Sequence, residues 1–267
     1  MTTSDQNPSL HEPDQIDLWL ARPEAANDSY LLSQYKELMT EEERARASQF
    51  HLSRDCDRYI VTRALVRTTL SRYASVHPSE WIFTPNIYGR PQVAVKDTLA
   101  RRIAFNVSHT MGLVVLAVRW ERSVGVDVEN AHGRNGAWED LGYQFFAPLE
   151  REALKAVPAD SRSKRFFEYW TLKESYVKAR GYGLSLPLDS FSMIFSGQGS
   201  IKLLIDPLNN DDVSHWYLWQ CWPTQEHVIA LCAECSSTTP TVSVYEVVPL
   251  KHDFPLRVSP IRTSIHF

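Results

Sequence analysis

Cysteine is scarce, with four residues in 267: Cys56, Cys221, Cys232 and Cys235. So few, so clustered, they exclude a disulfide framework and favour a reducing, cytoplasmic setting. Cys232-x-x-Cys235 has no second such pair to complete a zinc set. It ends the strand-like run HVIALCAEC, where a spacing of three turns the thiols to opposite faces. Long apolar runs are lacking too. The longest, Gly112 to Val118, falls far short of the ~18 residues of a membrane span. The opening MTTSDQNPSLHEPDQ has neither the basic nor the apolar region of a secretory signal. No GxSxG, GxxxxGK[ST] or GxGxxG occurs, which argues against elbow-type hydrolases and the common nucleotide-cradling loops.

What is present is an ordinary globular composition, 43% hydrophobic and 22% charged. The length suits about two domains with a core that needs no staple. The net charge of -4 hides an asymmetry. Residues 1–43 hold ten acids against two bases, leaving a small basic excess in the rest. That excess sits mainly in residues 36–72 and 150–180 and suits an anionic partner or a solvated helix face. It is too small and too mixed to argue for nucleic acid.

Residues 1–14 read as a polar, mobile tail. Ile16 to Leu20 reads as a strand. Thr40 and Glu43 form a capping-box pattern opening a helical region that runs to about Tyr73, with Ser53 as cap of a second helix. Tyr88-Gly89-Arg90-Pro91 reads as a tight turn. Ile103 to Val107 and Gly112 to Trp120 read as strands joined by a turn at Ser108 to Met111. Val124 to Glu129 is a further strand, residues 130–142 a loop, and Ala147 to Val157 a helix. A stronger helix runs from Ser163 to Arg180, closed by Gly181 and Gly183. Short strands follow Leu184, and a tail follows Leu250. Each half thus pairs a helix with several strands, which suggests two α/β subdomains, 1–121 and 122–250, with a tail at 251–267.

Four constellations carry chemistry. Asp127 and Glu129 stand two apart on a strand, on one face, with Val124, Val126 and Val128 on the other. Paired carboxylates of this kind suit Mg²⁺, and equally a solvent-facing strand. On the long helix, Tyr169, Leu172, Tyr176 and Ala179 form one stripe, and Phe167, Trp170, Glu174 and Lys178 another, so the helix is wedged between layers. Glu174 and Lys178 are one turn apart, which also fits a simple ion pair. Ser108 and His109 end a strand, where hydroxyl, imidazole and backbone N–H groups can grip a phosphate. Arg44, Arg46, Arg58, Arg63, Arg67 and Arg90 supply guanidinium groups, which recognise phosphate bidentately.

In their order and spacing, FNVSH, VGVDVE and FFEYWTLKESYVKARGYGLSLPL resemble the Sfp-type 4'-phosphopantetheinyl transferases. The G-[IV]-D-[IV]-E segment is Gly125 to Glu129, and W-x-x-K-E-[SA]-x-x-K is Trp170 to Lys178. The upstream NxSH and the YG-[basic]-P turn match too, and the resemblance covers roughly residues 40–235.

The resemblance implies an α+β fold of two similar α/β subdomains related by pseudo-two-fold symmetry, each with a small mainly antiparallel sheet and a long helix. It implies a Mg²⁺-dependent transfer of phosphopantetheine from coenzyme A to a serine of an apo acyl or peptidyl carrier protein, releasing adenosine 3',5'-bisphosphate. It implies a monomer with no nucleic-acid or membrane partner. Asp127, Glu129 and Glu174 would hold the metal, with Glu174 the candidate base. Lys178 would neutralise the phosphates. Ser108 and His109 would contact the 3'-phosphate, Arg90 would lie near the adenine nucleotide, and Arg46 would contact phosphate. The chain departs from the pattern at Glu43, where the family has Lys, and at Tyr59, where it has Thr, so Arg63 or Arg44 would substitute. The carrier groove is expected from residues 130–146, including Trp138, Tyr143, Phe145 and Phe146, with at least one phenylalanine in the core. Two other readings stay open: a different Mg²⁺-dependent phosphoryl-transfer or nucleotide-hydrolysing enzyme, and a non-catalytic module that binds carriers or coenzyme A.

Overall fold

A computed structural model describes residues 14–26, 28–132, 137–206, 211–235 and 238–264. The expected polar tail at 1–14 lies outside this set except for Asp14. The elements run β1 (Gln15–Ala21), α1 (Ser29–Glu37), α2 (Glu41–Ala47), α3 (Ser53–Leu70), β2 (Phe83–Pro85), β3 (Pro91–Val93), β4 (Ile103–Thr110), β5 (Leu113–Trp120) and β6 (Val124–Asn130). There follow α4 (Ala137–Phe145), α5 (Pro148–Lys155), α6 (Ala159–Arg180), β7 (Phe191–Ser196), β8 (Ser200–Ile205), β9 (Trp216–Cys221), β10 (His227–Glu234), β11 (Thr241–Val248), β12 (His252–Pro255) and β13 (Arg262–Ser264).

Two mainly antiparallel sheets organise the fold. One has the order β12-β11-β1-β5-β4 and the other β6-β10-β9-β13-β8-β7. The sheets face each other through an apolar layer. Ile16, Leu18, Val115 and Ala117 come from one side, and Val124, Val126, Val128, Trp219 and Ile229 from the other. A second core lies between the first sheet and α3, built on Leu65, Leu70, Trp19 and Leu116. A third lies between the second sheet and α6, built on Phe166, Leu172, Tyr176 and Leu218. The result is a helix–sheet–sheet–helix stack of α+β class, with one long helix on each outer face.

The local signals act as physics requires. Thr40 and Glu43 complete a reciprocal capping box on α2. Leu52, not Ser53, is the N-cap of α3, and it makes no side-chain cap bond. Gly89 (φ 87°) turns the β2–β3 hairpin, and Gly181 (φ 70°) closes α6 in the left-handed region. The expected loop at 130–142 contains the start of α4, while residues 133–136 lie outside the described set.

Two expectations are corrected at the C-terminus. Within the expected tail at 251–267, the described residues 251–264 supply two strands. Strand β13 lies between β8 and β9, and β11 pairs in parallel with β1, Leu18 opposite Val244. Thr241–Val248 therefore belongs to the first sheet. Among the described residues, no helix is long and apolar enough to cross a membrane.

Candidate functional site

The site forms where the edge strands β4 and β6 meet, with α6 behind them. The sheets do not pair there through backbone bonds. Side chains of β4 reach across instead. Asn106 Oδ1 accepts from the Val126 N–H at 2.8 Å, Ser108 Oγ from Val128 at 3.4 Å, and Thr110 Oγ1 from Asn130 at 3.2 Å. Residues two apart on a strand share a face, so three alternating polar side chains meet three alternating N–H groups. The ladder satisfies an edge that would otherwise carry buried open donors. It also revises the turn expected at Ser108 to Met111. Strand β4 continues to Thr110, and the reversal falls at Met111 and Gly112 (φ 82°).

Helix α6 approaches β6 closely. A Cβ built on Gly125 would stand 2.2 Å from the Ser175 carbonyl oxygen and 2.3 Å from the Ala179 nitrogen. Only glycine permits this contact. It brings Lys178 over the β4–β6 seam. Lys178 Nζ donates to Asp127 Oδ1 at 2.6 Å, to Ser108 Oγ at 3.0 Å and to the Val126 carbonyl at 3.3 Å. Ser108 Oγ donates to Asp127 Oδ1 at 2.8 Å. The hydroxyl thus uses its one proton and both acceptor positions. Lys178 forms its described ion pair with Asp127, not the i,i+4 pair with Glu174 that the helix spacing allows.

The second oxygen, Asp127 Oδ2, is buried and has no hydrogen-bond partner among the described residues. Such an atom is costly unless something else meets it. Glu174, one turn before Lys178, is half-buried. Burial raises its carboxyl pKa, the nearby Asp127 charge raises it further, and Lys178 opposes both. Glu129 is half-buried on the Asp127 face of β6. Among the described residues, no three acidic, histidine or cysteine side chains gather into a ready metal cage. The donor set is nonetheless that of Mg²⁺, which takes one or two carboxylates and completes its shell with waters and substrate phosphates.

The other face of β4 carries His109, a partly exposed residue. Its imidazole pKa is lowered, first by partial burial of the ring, then by the charges of Arg58, Lys178 and Arg63. Nearby, Tyr59 lies under two guanidinium groups, with Arg63 at 5.0 Å and Arg46 at 5.8 Å from its ring centre. Phe50 flanks the same ring at 5.4 Å. Glu43 is not a stray acid in this basic region. It caps α2 and accepts from the buried Arg67 at 2.8 Å.

Arg90 is held by backbone carbonyls of three elements. Nη1 donates to the Lys178 and Ala179 carbonyls at 2.9 and 3.1 Å, and Nη2 to those of Phe105 and Val124 at 3.3 and 2.8 Å. Both terminal nitrogens are engaged by backbone carbonyls. Sequence reasoning also passed over the roles of Asn106 and Thr110, although alternating polar residues on an apolar strand were a visible signal. It missed the fully buried pair Lys173–Glu150 at 2.7 Å, in which Glu150 also accepts from the Met193 N–H and Lys173 donates to the Phe191 carbonyl. Of the expected carrier-groove residues, Phe146 is core, stacked on Phe166, and Phe145 packs edge-on against Trp170. Tyr143 is exposed. With Trp138, Leu154, Arg151, Lys155 and Arg162 it lines a groove of about 220 Å³.

Comparison with known proteins agrees with this geometry. Residues 123–232 match the profile of the 4'-phosphopantetheinyl transferase superfamily, and residues 26–121 that of the 4'-phosphopantetheinyl transferase N-terminal region. The chain is 32% identical to the 4'-phosphopantetheinyl transferase HetI of a Nostoc species over 176 residues, 64% of this chain and 71% of that protein. It is 29% identical to a 4'-phosphopantetheinyl transferase of Bacillus subtilis over 193 residues, 72% of this chain and 80% of that one. It is 27% identical to the Sfp transferase of Bacillus subtilis strain 168 over 186 residues, 70% and 78% of the two chains. A chain with both profiles, these relatives and this seam belongs to the 4'-phosphopantetheinyl transferase superfamily and is a transferase of the Sfp type.

Proposed function

We propose that Asp127 and Glu174, with Glu129 beside them, hold a Mg²⁺ ion at the seam while Lys178, His109 and Arg46 grip the phosphates of coenzyme A. The reaction of this family moves the 4'-phosphopantetheine arm of coenzyme A onto a serine of a carrier protein. The observation that carries the assignment is the buried Asp127 Oδ2, without a hydrogen-bond partner among the described residues, beside a carboxyl whose pKa is raised.

Transfer of a phosphoryl-linked group needs positioning and charge neutralisation more than covalent help. A bound Mg²⁺ supplies charge neutralisation on the diphosphate. Lys178, already poised on Asp127 and Ser108, neutralises phosphate oxygens from the helix side. Ser108 keeps Asp127 Oδ1 engaged, which leaves Oδ2 for the metal. Glu174 takes the proton of the incoming serine, directly or through a water. The serine oxygen attacks the β-phosphorus, and adenosine 3',5'-bisphosphate leaves with the bridging oxygen. Arg58 and Arg63 near His109, and Arg46 on Tyr59, form a cationic wall that fits the 3'-phosphate, to which the neutral His109 ring adds an N–H donor.

The groove beside Tyr143 has an apolar floor and a rim on which Arg151, Lys155 and Arg162 outnumber Glu139, which suits a helix of an acidic carrier domain. Three buried thiols and no disulfide among the four cysteines support a reducing, cytoplasmic setting. We read the working form as a monomer.

The test is incubation with an apo-carrier domain, coenzyme A and Mg²⁺. The carrier gains the mass of one phosphopantetheine arm, and adenosine 3',5'-bisphosphate appears in equal amount. Nucleotide release without carrier would instead mark a hydrolase. Binding without release would mark a non-catalytic module.

A further inference from the structure

The three elements that carry the site are joined at one side chain. Strand β4 brings Ser108, β6 brings Asp127 and Glu129, and α6 brings Glu174 and Lys178. Arg90 reaches all three from the β2–β3 hairpin: the Phe105 carbonyl on β4, the Val124 carbonyl on β6, and the Lys178 and Ala179 carbonyls on α6. The hairpin presents the arginine rigidly. Asn86 Oδ1 accepts from the Tyr88 and Arg90 N–H groups at 2.9 Å each, and Asn86 Nδ2 donates to the Gly181 carbonyl at 3.2 Å. The final carbonyls of a helix lack intrahelical partners and favour a cation, so Asn86 and Arg90 together cap α6 from outside it.

We propose that Arg90 is a positioning residue for the transfer reaction: its guanidinium fork sets Lys178 and Glu174 against Asp127 by bridging α6 to β4 and β6. The proposal rests on the site reading given above. One planar group with two terminal nitrogens can serve carbonyls on opposite sides at once. A lysine ammonium at the same place is a point charge and cannot span them. A small displacement of reacting groups is enough to cost much of the rate.

The experiment compares Arg90→Lys and Arg90→Met with wild type in the transfer assay. Circular dichroism checks the fold of each variant. Both variants are expected to lose about tenfold or more in kcat, with the KM for coenzyme A held within about threefold, and lysine gives no rescue. Near-normal kcat in Arg90→Lys together with a raised KM in Arg90→Met overturns the proposal, since Arg90 would then serve as a charge for the nucleotide. If neither variant folds, the wild-type protein decides by NMR of the Arg90 guanidinium. Slowly exchanging Nη protons whose shifts stay fixed when coenzyme A and Mg²⁺ are added support the staple. Fast exchange, or shifts that follow coenzyme A, overturns it. A wild-type protein that transfers nothing would remove the functional reading, while the NMR result would still decide whether Arg90 bridges the three elements.

Discussion

Gly125 on β6 and Ser175 on α6 approach so closely that a methyl group on Gly125 would lie 2.2 Å from the Ser175 carbonyl oxygen. Both partners are backbone, and the contact brings Lys178 within reach of Asp127. Gly125→Ala must push strand and helix apart. We expect a loss of about 1–3 kcal/mol, the usual cost of overpacking, seen as a lowered melting temperature. Transfer falls further than stability, because Lys178 moves with the helix. A variant with normal melting and normal rate would contradict the role of this contact.

Ser108→Ala leaves the Val128 N–H and Asp127 Oδ1 each short of a partner in a buried place. The expected destabilisation is about 1–3 kcal/mol, read from chemical denaturation. If Ser108 contacted only substrate, the apo protein would denature as wild type does.

His109 gives a pH signature. Its pKa lies below the ordinary imidazole value of about 6.5, so near that pH the folded chain binds fewer protons than the unfolded one. Stability is therefore full above 6.5 and declines as pH falls from 6.5 toward the folded pKa. His109→Gln removes that contribution. Melting curves from pH 7.5 to 5.5 should show the variant gaining on wild type with acidification. Parallel curves would mean that the ring is not held neutral by its surroundings.

Strand β13 tests the revised C-terminus. Arg262 donates to Gln220 Oε1 at 3.0 Å, pairs with Glu168 at 3.1 Å, and lies over Phe195. Removal of residues 261–267 opens the second sheet between β8 and β9. The shortened chain should melt lower than wild type, and an unchanged melting curve would count against the strand.

The parts of this molecule that could be read from sequence are those fixed by short-range periodicity. The valine alternation from Val124 to Val128 put Asp127 and Glu129 on one face, and the 3.6-residue pattern set Glu174 and Lys178 one turn apart on α6. The capping box at Thr40 was equally local. What was hidden depends on distant partners. Nothing near Thr241 signals that β11 pairs with Gln15–Ala21. Nothing near the basic turn residue Arg90 signals that four carbonyls from three elements close around it. Lys173, beside Glu174 in the chain, points into the core to Glu150, and a helical pattern that is apolar on two sides gave no hint of that buried ion pair.

The claim on which the account depends is that Asp127 and Glu174 hold a divalent ion. The most direct measurement is Mn²⁺ occupancy by electron paramagnetic resonance in the presence of coenzyme A, in wild type, Asp127→Ala and Glu174→Ala. A bound ion is expected in the wild type and is lost in both variants, which circular dichroism shows still to be folded, Asp127→Ala melting lower because Lys178 and Ser108 lose their shared acceptor. Undiminished Mn²⁺ binding by either folded variant would contradict the claim.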